Sequence, residues 1–275
     1  MPITLAANNY GKSRVRVLKV TRHADRHDVA ELTVNVQFEG DFDAVHLSAD
    51  NSSVVPTDTM KNTVHALAKT WSGDQIEEFG RQLIAHFLRE NPQVSRVRIE
   101  IAQTAWTRMA QSAFLRGSDE KRTTLVMGAR DGIGVESGIE NLIVMKTAGS
   151  AFEGYKKDRY TTLKETTDRV FATAITARWT YRSAEVPFGP CWQQARAAIL
   201  KTFVDRDSPS VQYTAYAMGE AVLDAVPEIL QIRLSLPNKH CLLIDMAPFG
   251  LDNPNEIFVP TDEPHGLIEV TVQRT

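Results

Sequence analysis

One pattern constrains this chain more than any other: a run of alternating strands and amphipathic helices that passes through the sequence twice. Leu32, Val34, Val36 and Phe38 alternate with Thr33, Asn35, Gln37 and Glu39, the period of a half-buried antiparallel strand. Residues 14–20 supply a partner strand before it. After 50–56, Met60, Val64, Leu67 and Ala68 recur at helical spacing. A second helix starts near Ser72, which with Gln75 reads as a capping box. Its apolar face is Ile76, Phe79, Leu83, Ile84, Phe87 and Leu88, and Asn91-Pro92 ends it. Val97, Ile99 and Ile101 restore the strand period, and a further strand at 121–129 follows a polar turn at 116–121. The order then restarts. Strands are predicted at 138–146 and Phe171–Tyr181. One helix carries Trp192, Ala195, Ile199, Leu200 and Phe203, and the next Val211, Ala215, Met218, Val222 and Val226. Strands at 232–236 and 241–246 close the round, separated by a Pro237-Asn238 turn.

Two rounds of strand–strand–helix–helix–strand–strand predict an α+β fold with helices on one face of antiparallel sheets. The division falls near 131–138, a glycine-rich stretch read as a linker, giving units 1–134 and 135–275. Sheets of this kind expose strand edges unless something covers them, which predicts homo-oligomerisation with sheets closing into barrels. At 275 residues, 43% hydrophobic, the chain can build a core without disulfide or metal staples. No apolar run is long enough to span a bilayer, so no membrane partner is expected. Lys and Arg number 31 against 34 Asp and Glu, which argues against nucleic acid as the main partner. Cys191 and Cys241 lack paired spacing. The N-terminal residues do not read as a secretory signal, nor the C-terminal ones as a peroxisomal address. A reduced, cytoplasmic protein is the expectation.

General motifs name no reaction. Of seven histidines only His23 and His27 share an i, i+4 spacing, without the glutamate of a zincin, and a solvated turn explains them. Cys241 adjoins His240, but neighbours on a strand point to opposite faces, so no metal site is expected there. The glycines of 128–138 do not form a phosphate loop, and no nucleophile elbow or kinase signature occurs. Three polar constellations remain. Tyr10-Gly11-Lys12 precedes the first strand, where a lysine is ordinarily a solvated flank but a desolvated one moves protons. Pro56-Thr57-Asp58-Thr59 opens a helix, where Thr or Asp caps free amides and where anions also bind. Ser235 to His240 carries Asn238, Lys239 and His240 in succession beyond what a turn needs.

Taken together, these constellations are where the chain resembles the urate oxidase (uricase) family along nearly its whole length. The matching segments are YGKSRVR at 10–16, DNSSVVPTDTMKNTV at 50–64, RYTTLKETTDR at 159–169, SPSVQYTAYAM at 208–218 and LPNKH at 236–240. The resemblance implies the tunnelling fold, with two ββααββ units per chain and four chains stacking two barrels. It implies oxidation of urate by O2 and water to 5-hydroxyisourate and hydrogen peroxide, in purine breakdown, with no metal or other cofactor. It also implies a homotetramer with active sites at subunit interfaces. Lys12 and Thr57 look like the family's proton-relay pair, completed by His240. Arg169 and Gln212 look like the pair gripping the urate anion, with Phe152 stacking on its ring and Val211 adding a main-chain contact. Asp58 accompanies Thr57, both from the subunit neighbouring Arg169 and Gln212, and Asn238 lines the O2 or water position. The chain departs from the pattern at Pro56, where the family more usually has alanine, implying a stiffer or re-aimed Thr57 loop. Competing readings are an inactive oligomeric purine binder of the same fold, a pterin or guanine-nucleotide enzyme, and a structural barrel.

Overall fold

The computed structural model describes residues 2–275, which form two compact units. The first reaches to Gly138 and includes Ser183–Gly189; the second comprises Ile139–Arg182 and Pro190–Thr275. In the first unit β1 (Tyr10–Arg22) and β2 (His27–Gly40) lead through a short α1 (Asp43–Leu47) to α2 (Thr57–Thr70) and α3 (Ile76–Glu90). Strands β3 (Val94–Arg108) and β4 (Phe114–Ala129) follow, giving the antiparallel order β1-β2-β3-β4. The period-2 stripe of β2 is the core: Leu32, Val34, Val36 and Phe38 are fully buried beside Val97, Ile99 and Ile101 of β3. Met60 and Val64 of α2 and Ile76, Phe79, Leu83 and Ile84 of α3 are buried with them, as helical spacing requires. A carboxylate sits deep in this interior. Glu77 is wholly buried, accepting from Arg122 at 2.6 Å and from the Ser137 hydroxyl at 2.6 Å.

Strand β5 (Gly132–Lys146) crosses the division, and the second unit continues with β6 (Phe171–Tyr181). Then come α4 (Phe188–Asp205), α5 (Val211–Ala225), β7 (Ile229–Leu243), β8 (Phe258–Thr261) and β9 (Leu267–Gln273). β7 is central, with β6 along one side, β9 along the other and β8 on its far end. Its core joins Phe171, Ile175 and Trp179 of β6 to Ile232, Leu234 and Leu236 of β7. Ala195 and Ile199 of α4 and Ala215, Met218 and Val222 of α5 cover them. The strand–strand–helix–helix order therefore recurs in both units, closed by β3 and β4 in the first and by β7, β8 and β9 in the second.

Several boundaries differ from the sequence reading, each for a local reason. β1 begins at Tyr10 rather than after Lys12, because Tyr10 pairs with Phe38 and Lys12 with Val36 across the ladder. The polar 116–121 segment is inside β4, absorbed by an irregularity opposite Thr104 and Trp106. Residues 131–138 are no linker: two residues turn the chain from β4 into β5. No turn forms at Pro237-Asn238, and β7 runs through. Proline is tolerated because the β9 ladder ends at Pro237, while the next N–H, from Asn238, donates to Gly266 O at 2.8 Å. Ser72 makes no capping box. Gln75 is the N-cap of α3, and its side-chain oxygen instead accepts from Gly189 N–H at 3.1 Å. Helix α1 and strands β8 and β9 lay outside the doubled pattern.

Candidate active site

The first unit carries Lys12, Thr57 and Asp58. Lys12 stands on β1 directly before a bulge, where one extra residue enters between the Lys12–Val36 and Val15–Val34 pairs. Arg14 takes a left-handed φ of 58° there and its N–H donates to the Asn35 side chain at 2.7 Å. The bulge switches the facing of the strand. Val15 and Val17 point to the core, and so, opposite the buried Phe38 and Val36, do Tyr10 and Lys12. Without the extra residue, Lys12 and Val15 could not share a face. Gly11 makes this possible: a Cβ on it would lie 1.8 Å from the Val36 carbonyl oxygen.

Thr57 is the first residue of α2, and Pro56 is its N-cap with φ −55° and ψ 136°. Those angles are what proline prefers, so the departure at Pro56 stiffens the turn without straining it. Neither Thr57 nor Asp58 caps the helix, contrary to the sequence reading. Asp58 accepts instead from Lys61 and, at 2.9 Å, from the Asn62 amide. Its carboxyl is held below the usual range by the Lys61 hydrogen bond and charge, against a small opposing effect of burial, with further help from Asn62 and from the charge of Lys12. Lys12 and the start of α2 are thus near enough to sense one another. The Tyr10 hydroxyl joins the two segments, accepting from Val55 N–H at 2.8 Å and donating to Val55 O at 3.2 Å.

The second unit carries Phe152, Arg169, Val211, Gln212, Asn238 and His240. A small lattice of main-chain bonds gathers the first four. Phe152 and Thr166 exchange N–H···O bonds of 2.8 and 3.2 Å, Arg169 N–H donates to Ser150 O at 2.8 Å, and Ala151 N–H donates to Ser208 O at 2.8 Å. The segments 149–152, 166–169 and the approach to α5 are therefore stitched side by side. The Arg169 guanidinium lies 5.3 Å from the Phe152 ring centre, a cation–π approach. Half-burial lowers its pKa by desolvation, and among the described residues no carboxylate pairs with it. A partly desolvated, unpaired guanidinium is a receptor for a planar anion.

Val211 and Gln212 are the first two residues of α5, whose N-cap Ser210 accepts from Tyr213 N–H at 3.1 Å. Their own N–H groups fall among those a helix start leaves without intrahelical partners, in the positive end of its dipole. Asn238 and His240 continue the stripe of β7 that holds Leu234 and Leu236 in the core. Thr173 of β6 is paired with Asn238, fully buried. So a hydrophobic stripe turns polar at its end, beside the strand that begins two residues after Arg169. A cleft of about 500 Å³ opens near this lattice, lined by Gly149, Ala151, Arg206, Ser208 and Tyr213 among others, but none of the expected site residues lines it.

Comparison with known proteins settles the family. The Uricase family model matches residues 8–127 and 135–269. A uricase of Arthrobacter globiformis is 44% identical over 274 residues, covering 99% of this chain and 90% of the relative. The chain belongs to the uricase family. Its crystal-structure relative from Arthrobacter globiformis superposes with a TM-score of 0.96 over 100% of this chain and 96% of that one. A Dictyostelium discoideum uricase is 38% identical, covering 99% of this chain and 98% of its own. Urate oxidase from Bacillus sp. TB-90, at 20% identity and TM-score 0.86, shares the fold. The α+β layout described above is accordingly the tunnelling fold of the uricase family, with an open antiparallel sheet in the single chain.

Within this uricase fold, sequence reasoning missed one aromatic. Tyr155 stacks on Phe152 with ring centres 4.9 Å apart at 13°, and its hydroxyl donates to Leu163 O at 2.6 Å. The available signal was the spacing: an aromatic three residues on, across Gly154 at φ 68°. Among the described residues no group of three or more His, Cys, Asp or Glu side chains is placed to hold a metal.

Proposed function

We propose that this chain oxidises urate with O2 and water to 5-hydroxyisourate and hydrogen peroxide, without metal or flavin, at a site completed between subunits of a homotetramer. The observation that carries this reading is the half-buried Arg169, unpaired by any carboxylate among the described residues and set over Phe152, in segments stitched to the approach to α5. That arrangement suits an aromatic anion with in-plane acceptors. Arg169 supplies directional cationic donors, Gln212 an amide along the same edge, and Val211 a main-chain N–H. Phe152, braced by Tyr155, supplies stacking area.

The chemistry then needs a proton taken from bound urate to raise its electron density. Lys12 and Thr57, with His240, form the relay that accepts it. Two electrons leave urate and reduce O2: a C5–O bond forms and the distal oxygen takes one proton from the relay to give a C5 hydroperoxide. The C5–O bond then breaks, its electron pair leaving with the peroxide, which takes a second proton lent by the relay and departs as H2O2. Water adds at C5, its remaining proton returns to the relay, and 5-hydroxyisourate results. Asn238, on the same face of β7 as His240, lines the place of O2 and then water.

Lys12, Thr57 and Asp58 lie in the first unit and the anion clamp in the second, which is the division expected of a site assembled from two subunits. The edge strand β1 is paired on one side in its unit, and Leu18 on it is 64% exposed. Both features favour closure by another copy. The test follows urate loss by ultraviolet absorbance in air with chelator-treated protein, with peroxide assayed alongside. Stoichiometric peroxide, unaffected by chelator, is expected. Urate binding without turnover would instead point to an inactive purine binder, and the absence of both binding and turnover would overturn the assignment.

A further inference from the structure

We infer that Tyr10 is the positioning residue of the relay, holding the strand that carries Lys12 against the loop that delivers Thr57. This rests on the relay reading given above. The Tyr10 ring alone is ordinary core: it packs edge-on against Phe42 at 4.8 Å and Phe38 at 6.1 Å between centres. Phenylalanine would serve that purpose equally well. The hydroxyl is not explained by packing. It spends both its acceptor and its donor on the main chain of one residue, Val55, in the manner of a rung added to a β-ladder.

Two residues beyond each end of this rung stand the reacting groups. Lys12 follows Tyr10 on the same face of β1, and Thr57 follows Val55 at the head of α2. The 50–56 loop has other ties, Asp50 N–H to Ala44 O at 3.2 Å and Val54 N–H to Asn51 O at 3.0 Å, and the Val55 side chain is buried, but among the described residues the Tyr10 hydroxyl is what bonds the loop to β1. Ser52 N–H donates to the Asp50 side chain at 2.9 Å, within the loop, and Gln93 reaches Ser53 O at 2.7 Å, farther from Thr57. Pro56 then fixes its own φ, so the placement of Val55 passes to Thr57 with little freedom lost on the way. A hydroxyl bond at Val55 therefore bears on the separation of Lys12 and Thr57, while the proposed urate clamp residues belong to the second unit.

The experiment compares Tyr10→Phe with the wild type and with Lys12→Met in the full-length enzyme. Urate oxidation, melting temperature and the pH profile of kcat are measured for each. Tyr10→Phe is expected to fold, to lose about ten- to a hundredfold in kcat with KM for urate unchanged, and to shift the pH profile of kcat. A merely structural tyrosine would leave that profile in place, lowering rate only as the folded fraction falls. Wild-type kcat in Tyr10→Phe, a parallel rise in KM, or an unshifted profile would overturn the inference while Lys12→Met still lost turnover. Full turnover in Lys12→Met would instead remove the relay itself, and the role of Tyr10 with it.

Discussion

Adding one methyl group at Gly11 should damage turnover far more than substrate binding. A Cβ at this position would meet the Val36 carbonyl oxygen at 1.8 Å and the Gln37 Cα at 2.8 Å. Both are backbone atoms of the neighbouring strand, so no side-chain rotation relieves the clash. Ordinary contact begins near 3.4 Å, so β1 and β2 must part by about 1 Å or more, an overpacking that costs about 1–3 kcal/mol. The displaced residue is the one before Lys12, and a misplacement of about 1 Å in a reacting group costs on the order of a hundredfold in rate. The proposed clamp residues Arg169, Gln212 and Phe152 belong to the other unit. Gly11→Ala is therefore expected to lower kcat by roughly 10- to 100-fold with KM for urate within about twofold, and to lower the melting temperature by a few degrees. Steady-state urate oxidation and a thermal melt read all three. Wild-type kcat and melting temperature together would refute the reasoning, since they would mean the strands part without moving Lys12.

Arg169→Gln removes the unpaired guanidinium and should raise KM for urate about tenfold or more, the worth of a charge-assisted hydrogen bond; steady-state kinetics decide it, an unchanged KM counting against the clamp. Glu77→Ala deletes a fully buried carboxylate bonded to Arg122 and Ser137. Loss of about 3–5 kcal/mol is expected, or roughly 5–10 °C of melting temperature for a chain of this size, in contrast to the exposed Lys201–Asp205 pair, whose removal should be nearly silent. Pro56→Ala should cost about 0.4–1 kcal/mol by freeing the unfolded chain, because the native φ of −55° already suits proline. A stabilised Pro56→Ala protein in a thermal melt would show that the proline is strained after all.

The division of labour at the site follows from what each kind of residue can be seen to do in isolation. Tyr10-Gly11-Lys12 and Pro237 to His240 are legible as segments, yet local sequence places both outside strands. In the fold they are strand, because pairing with Phe38 and Val36 and with Thr173 and Lys239's partner Ala172 supplies bonds that no local preference encodes. Partners such as Tyr155 and the main chain of Val55 acquire their contacts only through neighbours distant in sequence or across a turn.

The sequence by itself determined the elements whose period is long and regular. The apolar stripe of β2, the faces of α2 and α3, and strand β6 were all readable, because each buries one face and burial imposes period 2 or 3.6. It also carried the family segments that name the candidate site. Tertiary structure alone decided which way Lys12 points. A one-residue bulge at Arg14 reverses the facing of β1, and that reversal depends on the register with β2 and on the close approach at Gly11. Likewise Arg169 is a charge like any other in sequence; its half-burial over Phe152, in segments held by main-chain bonds to Ser150 and Thr166, is seen only in the fold. Facing and burial are properties of pairs of segments brought together by the fold, and no single segment contains them.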